Sequence, residues 1–189
     1  MLIYTHYCLP VYDWRMKTVI PIEVLPYDPA WPLQYEAARD AILKAIGVFV
    51  LRIEHIGSTA VPDLAAKPVI DILVGVNRLE EAPDFLPPLY PLGYTYIPEH
   101  EDLFPERRYL HRIVNNAHTH HLHIVEAQSE FFRVQLLFRD YLRTHPEEAR
   151  RYAALKQRLA QEYRLDREAY TDGKSGLIKE ILVQASRST

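Results

Sequence analysis

The stretch His55-Ile56-Gly57-Ser58-Thr59-Ala60-Val61-Pro62-Asp63-Leu64-Ala65-Ala66-Lys67-Pro68-Val69-Ile70-Asp71-Ile72-Leu73-Val74-Gly75-Val76 decides how this chain is read. It contains a Gly-Ser turn, a short connector, and an apolar run from Val69 to Val76 with a carboxylate inside it. The run is apolar at both alternating sets of positions, which predicts a strand covered on both faces. An ionised Asp in such a run is costly unless it is paired, hydrogen-bonded or metal-bound. A Gly-Ser turn just upstream is a means of bringing backbone N–H groups close to a phosphate. Together these features point to a phosphate-handling site built around Asp71.

The rest of the chain predicts one α+β unit. Asp28-Pro29 reads as a helix cap followed by proline at N1, with Trp31, Tyr35, Ala38, Ile42 and Ile46 at helical spacing and Gly47 at C′. Ile20 to Leu25 reads as a short strand or extended arm, and Val48 to Ile56 as a first central strand. Arg78 to Leu86 predicts a helix stopped by Pro87-Pro88. Tyr94 to Ile97, Tyr109 to Val114 and Thr119 to Val125 predict strands, with Asn115-Asn116 as a turn. After Ala127 the pattern is helical. Phe131, Val134, Phe138 and Tyr141 form one stripe, and Tyr152, Leu155, Leu159 and Tyr163 the next. Thr144-His145-Pro146-Glu147 reads as a capping box, and Asp172 as the start of a last helix. Met1 to Arg15 lacks periodicity and reads as an irregular extension, or else as an ordered arm that pairs with a partner subunit, leaving residues 16–189 as a single domain.

Composition narrows the function classes. The chain has 189 residues, a net charge of -3 and 48% hydrophobic residues. This is an ordinary globular balance with no global basic surface to draw in nucleic acid, so any nucleotide site is expected to be a local basic pocket. The lone cysteine, Cys8, excludes an intramolecular disulfide framework. No apolar run approaches the ~20 residues of a membrane span. A cytoplasmic location is expected, with a phosphorylated small molecule rather than nucleic acid or membrane as the partner.

Three groups of residues are candidates for chemistry. Asp71 is a metal ligand or acid/base group, or else a structural carboxylate paired with Lys67 or an arginine. Gly57, Ser58 and Thr59 form either a phosphate turn or a plain turn capped by Ser58 or Thr59, and Lys67 either neutralises phosphate or ends a strand in solvent. His121 and His123 share a strand face at i, i+2, a spacing that brings two imidazoles to one divalent ion or presents a general base. The alternative for them is a polar strand end. Arg139 and Lys174 are phosphate candidates, against the alternative of a solvated charged face. A two-metal enzyme needs a second acid at i+2 from Asp71, where Leu73 stands.

Ile56-Gly57-Ser58-Thr59-Ala60-Val61-Pro62 with Ala66-Lys67-Pro68-Val69-Ile70-Asp71-Ile72 resembles the signature of the GrpB (UPF0157) family. Pro26-Tyr27-Asp28-Pro29-Ala30-Trp31-Pro32 is similar to the family's N-terminal motif, and His121-Leu122-His123-Ile124-Val125 to its histidine strand. Phe138-Arg139-Asp140-Tyr141-Leu142-Arg143, with Tyr152, Lys156, Tyr170 and Lys174, is similar to its C-terminal helical pattern. The resemblance spans Pro21 to Ala185. It implies the mixed sheet and helices of the polymerase-beta-like nucleotidyltransferase superfamily, with Gly57-Ser58 matching that superfamily's turn and Asp71 its first acid. Leu73 departs at the second acid, His123 takes the place of the third, and Asp63 stands where the family more often has glycine. Family members also occur fused to dephospho-coenzyme A kinase. Two expectations follow. One is an enzyme moving a nucleotidyl group from an NTP to a small acceptor, with Mg²⁺ or Mn²⁺ held by Asp71, His121 and His123. The other is a degenerate module that binds a nucleotide or coenzyme phosphate without turnover. A third reading is an interaction protein with no ligand.

Overall fold

The apolar run around Asp71 forms strand β2 (Ile70–Val76), in which Ile70, Ile72, Leu73, Val74 and Val76 are fully buried. The computed structural model describes residues 21–188. The expectations for Met1 to Arg15, for Cys8 and for Ile20 lie outside them.

Strand β1 (Val50–Ile56) pairs antiparallel with β2, and β5 (Ala117–Glu126) pairs parallel with it on the other side. β4 (Arg107–Val114) runs antiparallel to β5, and β3 (Tyr94–Tyr96) antiparallel to β4. The order β1-β2-β5-β4-β3 makes a mixed five-stranded sheet in an α+β fold, the class expected. The β4–β5 turn is the Asn115-Asn116 pair, with φ of 51° and 62°. Asparagine tolerates the left-handed region that a tight hairpin turn requires. β1 was expected to be central and is instead an edge strand. Its exposed Leu51 and Arg52 sit where the register with β2 slips, a bulge that blunts the open edge.

Helix α1 (Ala30–Ile46) covers one face of the sheet. It buries Trp31, Tyr35, Ala38, Ile42 and Ile46, the stripe its spacing predicts. They pack on Ile70, Ile72, Val74, Leu122 and Ile124. Each large apolar side chain buried there contributes roughly 1.5–3 kcal/mol. Asp28 caps the helix by accepting from the Ala30 N–H at 2.8 Å. Gly47 is not a left-handed C′ residue: its φ is -55°, and it begins a 3-10 turn over Gly47–Phe49. Residues 21–25 form an arm with one bridge, Leu25 to Ala66. The helix expected over Arg78 to Leu86 is reduced to the 3-10 turn Leu79–Glu81 and the short α2 (Ala82–Phe85). Prolines lack the N–H that would extend it, and the 3-10 segment Pro87–Leu92 follows.

Helices α3 (Glu130–Thr144), α4 (Pro146–Glu162) and α5 (Arg167–Arg187) lie on the other face. Their core joins Val134, Leu142, Tyr152, Ile178 and Ile181 to Val61 and Leu64 of the connector. Two expected boundaries move. Thr144 is the last residue of α3 and donates to the Asp140 and Tyr141 carbonyls, so no capping box forms, although Pro146 does take the first position of α4. The cap of α5 is Asp166, which accepts from the Ala169 N–H at 3.0 Å. Asp172 and Lys174 therefore lie inside that helix.

Candidate functional site

The turn after β1 is shaped by Gly57, with φ of 70°. A side chain there would be strained by the backbone and would overlap the carboxylate of Asp71. The turn therefore rests directly on the acid. Asp71 is level with His121 on β5, and His121 Nδ1 lies 3.0 Å from Asp71 Oδ1. Burial raises the pKa of Asp71, but the hydrogen bond and charge of His121, then His123 and Lys67, outweigh it and hold the carboxyl below its ordinary value. One step along, Leu73 pairs with His123. Leu73 is fully buried with Ile56, Val125, Phe131 and Phe132, so the position of a second acid belongs to the core. Burial, reinforced by Arg107, keeps His123 well below the usual imidazole pKa.

A cavity of about 220 Å³ opens where β1 ends and β2 begins, on the sheet face away from α1. Gly57, Ser58, Thr59, Lys67, Asp71, His121, His123 and Lys174 all line it. Sequence reasoning therefore brought eight of its nine candidate residues to one place.

Arg139 is the exception and is not among the lining residues. Its guanidinium donates to Glu54 at 2.8 Å, to the His55 carbonyl at 3.0 Å and to both oxygens of Asp140. It braces α3 against β1. Its neighbour Arg143 holds the turn itself, donating to the Ala60 carbonyl at 2.9 Å. Thr59 lines the cavity, but its hydroxyl is committed elsewhere. Oγ1 donates to the Val69 carbonyl at 3.2 Å and lies 3.0 Å from His55 Nε2. His55, pushed down to about 4 by burial, is the donor in that second contact.

The helices supply cations that the motif reading did not assign. Lys156 of α4 and Arg167 of α5 line the cavity, beside Tyr152, Tyr170 and Thr171. Lys156 is 3% exposed, donates to the Ala65 carbonyl at 2.6 Å and to Ser58 Oγ at 2.8 Å, and lies 4.7 Å from the centre of the Tyr152 ring. Lys174 Nζ stands 4.6 Å from the centre of the Tyr170 ring. Burial, then the charges of Arg167 and Lys174, push Lys67 down to about 8. A lysine four residues after Tyr152, on the apolar stripe of α4, was the available sequence signal for Lys156.

Among the described residues, no group of three or more His, Cys, Asp or Glu side chains is disposed to hold a metal ion. Asp71 and His121 are hydrogen-bonded to one another, and the donor set expected for Mg²⁺ or Mn²⁺ does not form a three-ligand cluster. No helix among them is long and apolar enough to cross a membrane.

The fold and cavity define a class: a mixed-sheet α+β protein with a Gly-Ser turn seated on a strand acid and a basic pocket beside them. The family model described as "GrpB protein" matches residues 21–184, and the chain belongs to the GrpB family. It is 43% identical over 172 residues to a UPF0157 protein of Pseudomonas aeruginosa, covering 89% of this chain and 69% of that one. It is 36% identical over 166 residues to the UPF0157 protein YqkA of Bacillus subtilis, covering 88% of this chain but only 48% of YqkA. The crystal structure of conserved protein GrpB from Enterococcus faecalis superimposes with a TM-score of 0.80 at 36% identity, covering 88% of this chain and 98% of that one. A 77-residue stretch is 42% identical to part of a dephospho-CoA kinase of Mycolicibacterium paratuberculosis, covering 39% of this chain and 19% of the kinase.

Proposed function

We propose that this protein binds a phosphorylated small molecule, such as a nucleotide or coenzyme phosphate, in the basic cavity. One observation carries the reading. Lys67, Lys156, Arg167 and Lys174 line the cavity against a single carboxylate, Asp71, which already bonds His121. Among the described residues, Lys67, Arg167 and Lys174 form no ion pair with an Asp or Glu, in a chain whose net charge is -3. Such an unbalanced patch in a partly enclosed site favours an anion. Lys67, Arg167 and Lys174 meet phosphate oxygens, and Phe131, Tyr152 and Tyr170 offer apolar surface for the organic part.

Nucleotidyl transfer from an NTP is the second reading, favoured by the contact between the Gly57 turn and Asp71. The test is calorimetric titration of ATP, with and without Mg²⁺ or Mn²⁺, into the protein and its Asp71→Asn variant. The binding reading expects metal-independent association that is kept or strengthened in the variant, because a negative charge has been removed from a basic site. Metal-dependent association lost in the variant, accompanied by turnover, moves the assignment to the transferase. No association in any condition removes both.

A further inference from the structure

Ser58 and Lys156 are 98 positions apart in sequence and hydrogen-bonded in the fold. The bond has a direction. Lys156 Nζ is an ammonium with donors only, and it sits among acceptors: the Ala65 carbonyl at 2.6 Å, Ser58 Oγ at 2.8 Å and the face of Tyr152. Nζ donates to both oxygens, so it takes no proton from Ser58. Ser58 Oγ is therefore an acceptor toward Lys156 and keeps its own proton. Among the described residues that proton has no acceptor, and Ser58 lines the cavity. Thr59 behaves in the opposite way, because its proton goes to the Val69 carbonyl. Of the two hydroxyls in the turn, only one has a proton to offer a ligand.

We infer that Lys156 is a positioning residue that occupies one lone pair of Ser58 Oγ and leaves its proton free, so that the Ser58 hydroxyl donates to an oxyanion in the cavity. The inference rests on the anion-binding reading and narrows it. The head group is met by a neutral O–H as well as by cations. Lys156 acts on the ligand through Ser58, and its effect depends on the hydroxyl being present.

The experiment uses the full chain and metal-free inorganic pyrophosphate, titrated by calorimetry into the wild type and into Ser58→Ala, Ser58→Thr, Lys156→Gln and the Ser58→Ala/Lys156→Gln double variant. Thermal melting of each checks the fold. A hydrogen bond to a charged acceptor predicts that Ser58→Ala weakens binding roughly tenfold. Ser58→Thr restores it to within about twofold, because the hydroxyl returns. Lys156→Gln also weakens binding, and in the Ser58→Ala background its further cost is no more than about twofold. Additive losses in the double variant overturn the inference and make Lys156 a direct charge contact. Unchanged binding by Ser58→Ala overturns it as well. If Lys156→Gln does not fold, the Ser58→Ala and Ser58→Thr pair still decides whether the hydroxyl donates. Absence of pyrophosphate binding by the wild type overturns the anion reading itself, an outcome distinct from the others.

Discussion

Asp71 and His121 face each other at the same level of two parallel strands, with Oδ1 of the carboxylate 3.0 Å from Nδ1 of the imidazole. Burial and the histidine act on Asp71 in opposite directions, and the histidine side prevails. Replacing His121 with Phe should therefore raise the pKa of Asp71, since burial is left with less to oppose it. Carbon-13 NMR of the labelled carboxyl reads this directly. A titration that does not move would show that His121 is not what keeps the acid ionised.

Gly57 and Gly47 should respond to alanine in opposite ways. At Gly57 a methyl meets Asp71 and the φ is left-handed, so Gly57→Ala should cost roughly 1–3 kcal/mol and impair anion binding. At Gly47 the backbone is helical and nothing lies within 4 Å of an added Cβ. Gly47→Ala should stabilise by about 0.4–1 kcal/mol through the unfolded chain. Denaturant melts of the two variants make the comparison, and equal effects would contradict it.

Arg139 should be a stability residue. Its side chain is 9% exposed, and Arg139→Met removes the donor to Glu54 Oε2 and to the His55 carbonyl, leaving Glu54 with Arg52. Breaking this partly buried pair and its carbonyl bond predicts a loss of about 1–3 kcal/mol, with ATP affinity within about twofold of wild type. A variant of full stability and poor affinity would return Arg139 to the binding site.

Lys67 gives the site an alkaline limit. Its amine is pushed down to about 8, and an anion needs it protonated. ATP affinity should be level below that pH and fall as pH rises through it, roughly tenfold by pH 9.5. Lys67→Arg keeps its charge and should flatten the profile over the same interval. A wild-type profile that is already flat would sink this account.

Acid should weaken the fold. Burial pushes His55, His100 and His120 down to about 4 and His118 to about 3, whereas an unfolded chain holds histidine near 6.5. Between those values the unfolded state binds more protons. The stabilisation is thus complete above about pH 6.5 and is lost as pH falls toward 4. Asp71, also held low, adds a loss only at pH below its ordinary carboxyl value of 3.8. Between pH 7.5 and 5 the melting temperature should drop by roughly 5 °C or more. Constancy over that range would mean that these rings are protonated in the native state.

Local chemistry made much of this architecture legible. The stripe of α1 and the Asn115-Asn116 turn depend on near neighbours in sequence, and both are found where the pattern puts them. The meeting of Asp71 with His121 is different: it depends on which strand β5 chooses as a neighbour, 50 residues away. The pattern showed that each residue was unusual in its strand and left the pairing open. Arg139 misled because an arginine beside an apolar stripe serves a phosphate or a buried carboxylate equally well, and only the packing of α3 on β1 selects Glu54. The start of α5 moved because Asp166 and Asp172 are both acceptable caps, and the structure uses the earlier.

The cavity walls come from the turn and sheet on one side and from helices α3, α4 and α5 on the other. Residues 57–71 and β5 provide the turn, Lys67, the acid and the imidazoles, while α4 and α5 provide Lys156, Arg167 and Lys174. Under the proposed anion-binding reading, much of the cation set and the acid lie on different segments of the chain. Replacing residues on the inner faces of α4 and α5 can retune which molecule is held while Asp71 and its partner stay in register. A library randomised on those two helices is accordingly the economical route to altered specificity on an unaltered sheet.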